Sequence, residues 1–411
     1  MAPSELRDKF AIVGVGITPT ARTHAPGVSP LRLEAWAARL AIEDAGLRRE
    51  DIDGAVHAAA GSPHANSGQW LDTYTRTLGI RPNVYLNTVR GAYVAHNGIN
   101  VACQLLDMGL ANYVIIATGL AGMSSAHAAG ARTQKSHNTG LPMDRIEFGL
   151  QKLGLDAGAS AAPTGHGFYA SRHMYEYGTT HEQLGAVALS ARAWAQLNPD
   201  ARYYGRPATM EDYLRSRWVC YPYRTMDLCI QSDMGGALIV TTADRARDLR
   251  HKPIYIKGIG FGDQARDQWW HKSNYTQTDA AYAKRKAFEQ AGVNLSDIDL
   301  ATFYDCFTAE VIFYMEDYGW CKKGEGGPFV ASGAIAPGGS IPVNTHGGLL
   351  AGMFMYDVGG VAEAVRQLRG EAGKRQVKGA EIALTSGHAG EIVGPGMCAI
   401  HGTMILGNVL S

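Results

Sequence analysis

The chain has 411 residues, of which 46% are hydrophobic and 18% are charged, and 38 basic side chains balance 38 acidic ones. This neutral balance argues against a nucleic-acid-binding protein, and no stretch approaches the roughly 20 apolar residues that span a bilayer. Six cysteines without CxxC pairs, and an N-terminus without a signal-peptide pattern, predict a cytoplasmic protein with free thiols.

The first half of the chain alternates strands with helices. An apolar, β-branched run over 10–15 predicts a strand, and the helix predicted over 31–46 ends at a glycine, which adopts the left-handed cap freely. A strand over 54–59, a helix over 94–108 and a strand over 112–118 follow. Near-continuous apolar strands between helices are typical of a parallel sheet covered on both faces, and we expect one here.

The segment 120–232 has a different character, because it is rich in Gly, Ala, His, Tyr and Arg and has irregular patterning. A segment this long without clear periodicity is typical of a functional insertion or lid. The strand predicted over 237–242 then returns to the sheet of the first half. We therefore expect a first half made of 1–119 and 233–250, the insertion, and a second half over 251–411.

The second half repeats the first. Residues 287–302 match residues 41–56 at eight of sixteen positions, and the predicted elements follow in the same order. These elements are a strand over 254–259, a helix over 281–292, a strand over 299–304, a helix over 359–369 and a strand over 380–386. The repeat indicates two packed α/β layers related by pseudo-symmetry.

Cofactor and metal motifs are absent from the sequence. The GxG runs at 14–16 and 258–260 do not continue to GxGxxG before a helix, so they do not indicate a dinucleotide site. No group of His, Cys and Asp has the spacing of metal ligands. We therefore expect neither a bound cofactor nor a metal.

Several motifs in a fixed order carry a resemblance to a known family. The motifs are NTVRG at 87–91, SDMGGALIV at 232–240, YDCFT at 304–308, KGEGGPFV at 323–330 and PVNTHGG at 342–348. With these motifs the chain resembles the thiolase superfamily, in particular its lipid-transfer-protein (sterol carrier) branch. The resemblance implies the thiolase fold, in which two pseudo-symmetric βαβαβ halves form an α/β/α/β/α core with a large loop insertion.

The two groups that a thiolase needs for its reaction are missing. In thiolases the segment that matches NTVRG carries a nucleophilic cysteine, and here Arg90 stands in that place. A guanidinium cannot act as a nucleophile. The activating histidine of a later Gly-His-Pro is also replaced, because Met353, Phe354 and Met355 occupy that segment. A covalent acyl-enzyme through this position is ruled out.

A cysteine-less subgroup of this branch, the side-chain aldolases of bacterial steroid breakdown, cleaves a β-hydroxyacyl-CoA by a retro-aldol reaction. In that subgroup one catalytic tyrosine lies in the motif that matches YDCFT, and this residue corresponds to Tyr304. The second tyrosine corresponds by ungapped spacing to Phe354, whereas Tyr356 lies two residues later. A base takes the β-hydroxyl proton, the Cα–Cβ bond breaks, and fixed donors stabilise the enolate.

Two polar residues near these motifs are further candidates for catalysis. Asp305 follows Tyr304 at the end of a predicted strand, where ligands of α/β sheets tend to sit. It either orients Tyr304 or a water molecule, or caps the helix predicted over 309–318. His346 lies in a glycine-flanked turn and suits acid–base chemistry, although a hydrogen-bonded structural histidine is an equal alternative.

The other candidates are His388, Arg90 and Phe354. His388 follows the TSG strand end, and the pseudo-symmetry places it near the same pocket. Arg90 would bind a carboxylate or polarise the thioester carbonyl, or else form a salt bridge between the halves. Phe354 and its neighbouring methionines would line an apolar substrate slot, although core packing is the default for such residues.

The sequence predicts a thiolase-fold enzyme that cleaves a β-hydroxyacyl-CoA with a bulky, steroid-like group. The resemblance also implies a homodimer and a small partner chain of the DUF35 type, with an OB fold and a zinc ribbon. Two alternatives remain open at this point. One is a non-catalytic scaffold or lipid-binding subunit, and the other is a cofactor-free acyltransferase or condensing enzyme.

Overall fold

A computed structural model of the chain describes residues 6–21, 28–58, 68–88, 94–121, 123–124, 162–263, 274–389 and 400–410. The strands are β1 (Phe10–Ile17), β2 (Gly54–Ala58), β3 (Val84–Thr88), β4 (Tyr113–Leu120), β5 (Trp218–Cys220), β6 (Tyr223–Arg224), β7 (Met234–Thr242), β8 (Ile254–Asp263), β9 (Leu300–Thr302), β10 (Ile382–Ala389) and β11 (Ile400–Gly407). The helices are α1 (Pro30–Ala45), α2 (Gly68–Leu78), α3 (Val94–Asp107), α4 (Ala162–Tyr177), α5 (His181–Ala195), α6 (Met210–Arg215), α7 (Ala243–Ala246), α8 (Ala280–Ala291), α9 (Thr308–Tyr318), α10 (Gly326–Ala331) and α11 (Tyr356–Arg369).

Nine strands form one sheet in the order β3-β2-β4-β7-β1-β8-β11-β10-β9. The order is symmetric about the boundary between β1 and β8. Read outward from this boundary, the first half runs β1, β7, β4, β2 and the second half runs β8, β11, β10, β9, so that each of these strands has an equivalent in the other half. The two halves meet where β1 pairs with β8 over Ala11–Tyr255 and Ile12–Ile254. The pseudo-symmetry predicted from the sequence repeat is therefore a property of the sheet.

The prediction of parallel sheets was wrong for most of the strand pairs. Among the strand pairs of the described residues, only β2 with β3, β2 with β4, and β9 with β10 are parallel. The strand predicted over 237–242 does return to the first half, as β7 between β1 and β4, and it runs antiparallel to both. An apolar run shows that both faces of a strand are buried, but it carries no information on strand direction.

Helices cover both outer faces of the halves and fill the space between them. α1 packs on β1, β4 and β7, whereas α8 packs on β8 and β11. α3 and α11 contact each other and strands of both halves, and their apolar side chains belong to a single central core. This arrangement confirms the five layers implied by the resemblance.

The two GxG runs have a packing role. A Cβ atom at Gly16 would lie 2.0 Å from the carbonyl oxygen of Ala37 in α1. In the second half, a Cβ atom at Gly260 would lie 2.0 Å from the carbonyl oxygen of Ala283 in α8. The repeated glycines thus let each outer helix approach its strand closely, which explains the motif without a nucleotide.

The insertion is more ordered than its irregular pattern predicts. Its long described stretch, 162–232, holds three α-helices and the hairpin β5–β6. The buried side of α4 carries His166, Tyr169 and His173 in addition to glycine and alanine. Since aromatic and polar residues form this buried face, a search for apolar periodicity does not find the helix.

Two predicted boundaries near the site also differ. β9 ends at Thr302 rather than at residue 304, and α11 begins at Tyr356 rather than at residue 359. Tyr304 therefore lies just past the strand, and Tyr356 opens a helix. Among the described helices, none combines the length and the apolar character needed to cross a membrane.

Replacing Gly16 by alanine tests the close approach of α1 to β1. The new methyl group would overlap the backbone of α1, so we expect Gly16→Ala to lower the free energy of unfolding by at least about 2 kcal/mol. Gly359→Ala is the matched control, because a Cβ there would lie 3.5 Å from the Met353 side chain, an ordinary contact distance. Urea denaturation should show that only Gly16→Ala is less stable than the wild type; equal stability of the two variants would contradict the packing role.

Candidate active site

Tyr304 and His388 meet at the ends of two neighbouring parallel strands. β9 and β10 pair in register at Ala301 and Leu384, so their carboxyl ends lie at the same edge of the sheet. The rings of Tyr304 and His388 are in edge-to-face contact, with centroids 4.4 Å apart. Both side chains are buried. The structure thus brings together two of the predicted site residues.

His388 is held by two hydrogen-bonding neighbours on its two ring nitrogens. Its Nδ1 atom lies 2.9 Å from the hydroxyl of Tyr314, and its Nε2 atom lies 3.6 Å from the sulfur of Cys306. Burial lowers the pKa of His388 to about 4, against the opposing charge of Glu310. The imidazole is therefore neutral at pH 7.

Two residues that sequence reasoning missed, Glu310 and His166, complete this cluster. The thiol of Cys306 donates to the Glu310 carboxylate at 3.0 Å, and His166 of the inserted segment pairs with the other carboxylate oxygen. Burial opposes ionisation of Glu310, but the charges of His166 and His388 and the hydrogen bonds from His166 and Cys306 together outweigh it, and the pKa of Glu310 is lowered. The four-residue spacing of Cys306 and Glu310 was a usable signal, whereas no pattern marks His166.

The end of the inserted segment ties the start of α9 in place. The carboxylate of Asp227 accepts hydrogen bonds from the hydroxyls of Thr308, at 2.7 Å, and Tyr213, at 2.9 Å. Burial raises the pKa of Asp227 to about 6, partly offset by these hydrogen bonds. Two residues along, the N–H of Cys229 donates to the carbonyl of Cys306 at 2.8 Å. The insertion therefore forms part of the wall around the YDCFT motif.

The cluster also has the chemistry of a metal-ligand set. One ligand atom from each of His166, Cys306, Glu310 and His388 lies within 4.8 Å of the other three, and all four side chains are buried. Nitrogen, sulfur and carboxylate ligands in this number suit a tetrahedral site. These residues would hold such an ion, although their sequence spacing follows no metal motif.

Asp305 supports a glycine-rich turn and does not cap α9. Its carboxylate accepts a hydrogen bond from the N–H of Leu349 at 2.7 Å, whereas α9 has no side-chain cap. A Cβ at Gly348 would lie 2.0 Å from this carboxylate, so the turn requires a glycine. Burial raises the pKa of Asp305 to about 8, with the Leu349 N–H opposing the rise. Of the two interpretations, helix capping was wrong, and the carboxylate instead positions the turn that follows His346.

His346 lies in this turn but belongs to another polar group. Burial lowers its pKa to about 4, and its nearest charges are Glu363 and Arg375, which form a buried ion pair. Its backbone carbonyl accepts a hydrogen bond from the side chain of Asn198 at 2.9 Å. Among the contacts of the described residues, none joins His346 to Tyr304 or His388.

Phe354 and Tyr356 follow the same turn and lie side by side. Their ring centroids are 5.5 Å apart, and both side chains are half-buried. Tyr356 has a φ of +49°, a left-handed conformation that is costly for a tyrosine and is often found at functional sites. The next residue, Asp357, bonds the first turn of α3, so Tyr356 lies near the end of α3 that follows NTVRG. Arg90 itself lies outside the described residues.

The fold and this site define a thiolase-like protein, and comparisons with known proteins agree. Residues 264–408 match the family described as thiolase C-terminal domain-like. The chain is 32% identical over 401 residues to the 17-hydroxy-3-oxo-4-pregnene-20-carboxyl-CoA lyase of Mycobacterium tuberculosis, covering 94% of this chain and 97% of that protein.

Two further relatives show to which group of thiolase-like proteins the chain belongs. The steroid side-chain-cleaving aldolase of Thermomonospora curvata is 32% identical over 398 residues, which is 93% of this chain and 96% of that protein. A solved structure, the Ltp2-ChsH2(DUF35) aldolase, superposes with a TM-score of 0.83 at 31% identity and 98% coverage of both chains. The chain belongs to the family of thiolase-fold, steroid side-chain-cleaving aldolases.

The buried neutral state of His346 predicts an acid sensitivity that a variant can remove. The folded protein holds the pKa of His346 near 4, below its unfolded value of 6.5, so its contribution to stability is lost as the pH falls between these values. The loss amounts to at most about 3 kcal/mol. The variant His346→Gln lacks this pH-dependent contribution. Its free energy of unfolding should therefore fall less steeply than that of the wild type when urea denaturation is measured from pH 7 to pH 4. Parallel curves for the two proteins would contradict a buried neutral His346.

Proposed function

We propose that the protein cleaves the side chain of a steroid-like β-hydroxyacyl-CoA by a retro-aldol reaction. The contact of Tyr304 with a buried, neutral His388 at the sheet edge is the observation that carries this proposal. The aldolase and lyase relatives, which align over nearly the whole chain, support the same reaction class. The missing thiolase nucleophile at Arg90 agrees with a mechanism that has no covalent acyl-enzyme.

The reaction moves one proton and breaks one carbon–carbon bond. The site takes the proton of the β-hydroxyl group, the Cα–Cβ bond breaks, and its electron pair passes into the thioester as an enolate. A ketone leaves, and protonation of Cα gives the shorter acyl-CoA. We assign Tyr304 to the exchange of the hydroxyl proton. We assign Tyr356 to the place of the second catalytic tyrosine of the aldolase subgroup, and Asp305 to holding the turn that lies between the two tyrosines in the sequence.

We assign substrate binding to Phe354 and Arg90. Phe354 is half-buried beside Tyr356 and offers an apolar surface for a bulky ring system. Arg90 is assigned to the thioester or to an acidic group of the substrate. The CoA thioester is the substrate itself, and the reaction as proposed draws on no separate cofactor. We keep His346 as a candidate catalytic residue because it lies in the turn that Asp305 supports.

The assembly that we propose is a homodimer with a DUF35-type partner chain. β3 lies at an edge of the sheet, and its Leu86 is 43% exposed, which suits pairing with a second copy. The related Ltp2-ChsH2(DUF35) aldolase supports the proposal of a DUF35-type partner chain. We place the protein in the cytoplasm, where the five described cysteines, which are all free, would stay reduced.

Removing the hydroxyl of Tyr304 tests the reaction. We expect Tyr304→Phe to lower kcat by at least about a hundredfold while the protein stays folded, because general acid–base groups contribute 10²–10⁴-fold. Purified protein, with and without a DUF35 partner, is incubated with a steroid β-hydroxyacyl-CoA, and mass spectrometry follows the ketone and the short acyl-CoA.

Tyr318→Phe is the matched control for this experiment. Tyr318 is also a buried tyrosine, the last residue of α9, and its hydroxyl is hydrogen-bonded to Thr403 at 2.7 Å and to His401 at 3.0 Å. It should keep kcat within about threefold, well below the effect of an acid–base group. Full activity of Tyr304→Phe would remove the tyrosine from the mechanism, and thioester binding without cleavage by the wild type would favour a binding subunit.

Placing a charge on β3 tests the dimer. We expect the wild type to sediment at twice the mass of one chain, and Leu86→Lys to sediment at the mass of one chain, because a charged edge resists pairing. Leu110→Lys is the control, since Leu110 has the same 43% exposure but lies outside β3. Analytical ultracentrifugation of a wild-type monomer would contradict the proposed assembly.

A further inference from the structure

A continuous line of buried contacts leads from the inserted segment to Tyr304. It starts at His166 in α4, passes through Glu310 and Cys306 of the α9 region, and reaches His388 in β10. His388 then contacts the ring of Tyr304. We propose that His166 is a positioning residue for the proposed lyase reaction, acting through Glu310 and Cys306 on His388; the proposal rests on that function.

The pair of His166 and Glu310 anchors the line. Both side chains are buried, with 2% and 3% of their surface exposed, and the Nδ1 atom of His166 is in direct contact with a carboxylate oxygen of Glu310. The ring of His166 also stacks on Phe307, with centroids 4.4 Å apart. An ionised carboxylate in such surroundings needs a partner of opposite charge. His166 supplies that partner, and it comes from a segment outside the two repeated halves.

The donors and acceptors along the line have one consistent arrangement. The Cys306 thiol donates to Glu310, so its sulfur faces His388 as an acceptor. The Nε2–H of His388 then donates toward this sulfur, and Nδ1 accepts from the hydroxyl of Tyr314. Only one neutral tautomer of His388, protonated at Nε2, satisfies both contacts. The Glu310 carboxylate therefore selects this tautomer and the orientation of the ring against Tyr304.

A metal ion held by the same four side chains is the rival arrangement. The direct contacts favour the hydrogen-bonded line, because His166 touches Glu310 and the Cys306 sulfur lies 3.0 Å from the Glu310 oxygen. The Glu310 carboxylate and the Cys306 thiol proton then each have a partner within the chain. Metal content is an outcome of the test.

The chain contains a matched control on the same two helices. His173, seven residues after His166 on α4, has its Nε2 atom 3.0 Å from both carboxylate oxygens of Glu316 on α9. Its other nitrogen bonds Thr179 at 2.7 Å. Like the pair of His166 and Glu310, this pair is buried and joins α4 to α9, but it does not contact Cys306 or His388. Loss of either histidine should weaken helix docking, whereas only loss of His166 should disturb His388.

The experiment compares His166→Gln with His173→Gln in the full chain. For cleavage of a steroid β-hydroxyacyl-CoA, His166→Gln should lower kcat by about tenfold to a hundredfold and leave KM within about twofold, as expected for loss of positioning in the transition state. His173→Gln should leave kcat within about twofold. Glu310→Gln keeps the side-chain shape, removes the charge and should reproduce the His166→Gln result, which keeps the test valid if His166→Gln does not fold.

A second measurement is independent of activity. In protein labelled with ¹⁵N-histidine, NMR should show His388 as a single Nε2–H tautomer, with the signal assigned by its loss in His388→Gln. The signal should shift toward mixed tautomers in His166→Gln and Glu310→Gln and stay unchanged in His173→Gln.

The outcomes separate this inference from the proposed function. An unchanged His388 signal in His166→Gln, equal losses of kcat in the two histidine variants, or one equivalent of bound metal by elemental analysis of the purified chain would each overturn the positioning role. The expected NMR shifts in a wild-type protein that cleaves no steroid thioester would support the positioning line and refute the proposed function.

Discussion

The carboxylate of Asp357 is the contact on which the joining of the two halves depends. It lies in the first turn of α11 and accepts hydrogen bonds from the N–H groups of Ala95 and His96 at the start of α3, at 2.9 and 3.0 Å. The N-terminal end of a helix presents unpaired N–H groups and the positive end of the helix dipole to an anion. The His96 ring bonds the same carboxylate at 2.6 Å and Thr385 of β10 at 2.9 Å. One buried group thus fixes both central helices against the strand that carries His388.

The candidate site lies where three parts of the chain meet around this core. The end of β9 supplies Tyr304, β10 supplies His388, and the inserted segment adds His166 and Asp227 beside α9. Burial keeps the His388 imidazole neutral beside the ring of Tyr304. The fold persists without the thiolase nucleophile because close helix–strand packing and polar contacts away from that position hold it.

The elements that the sequence predicted well are those whose pattern is local. The glycine cap of α1 at Gly46 and that of α8 at Gly292 are both left-handed, as the repeat implied. The resemblance implied the five layers, because the motifs on which it depends lie in both halves of the chain. Strand direction was mispredicted because apolar runs do not encode it. α4 and His166 were missed because a buried face of histidine, tyrosine and glycine has no apolar period.

By itself the sequence determined the repeat, the class of fold, the loss of the thiolase cysteine and the tyrosine at the end of β9. Only the tertiary structure decided which polar residues act together. It placed His388 against Tyr304, turned His346 toward Glu363 and Arg375, and set Asp305 under the turn at Gly348. The physical reason is that hydrogen bonds and burial join residues far apart in the chain, as His166 and Glu310 are, and no local pattern records such pairs.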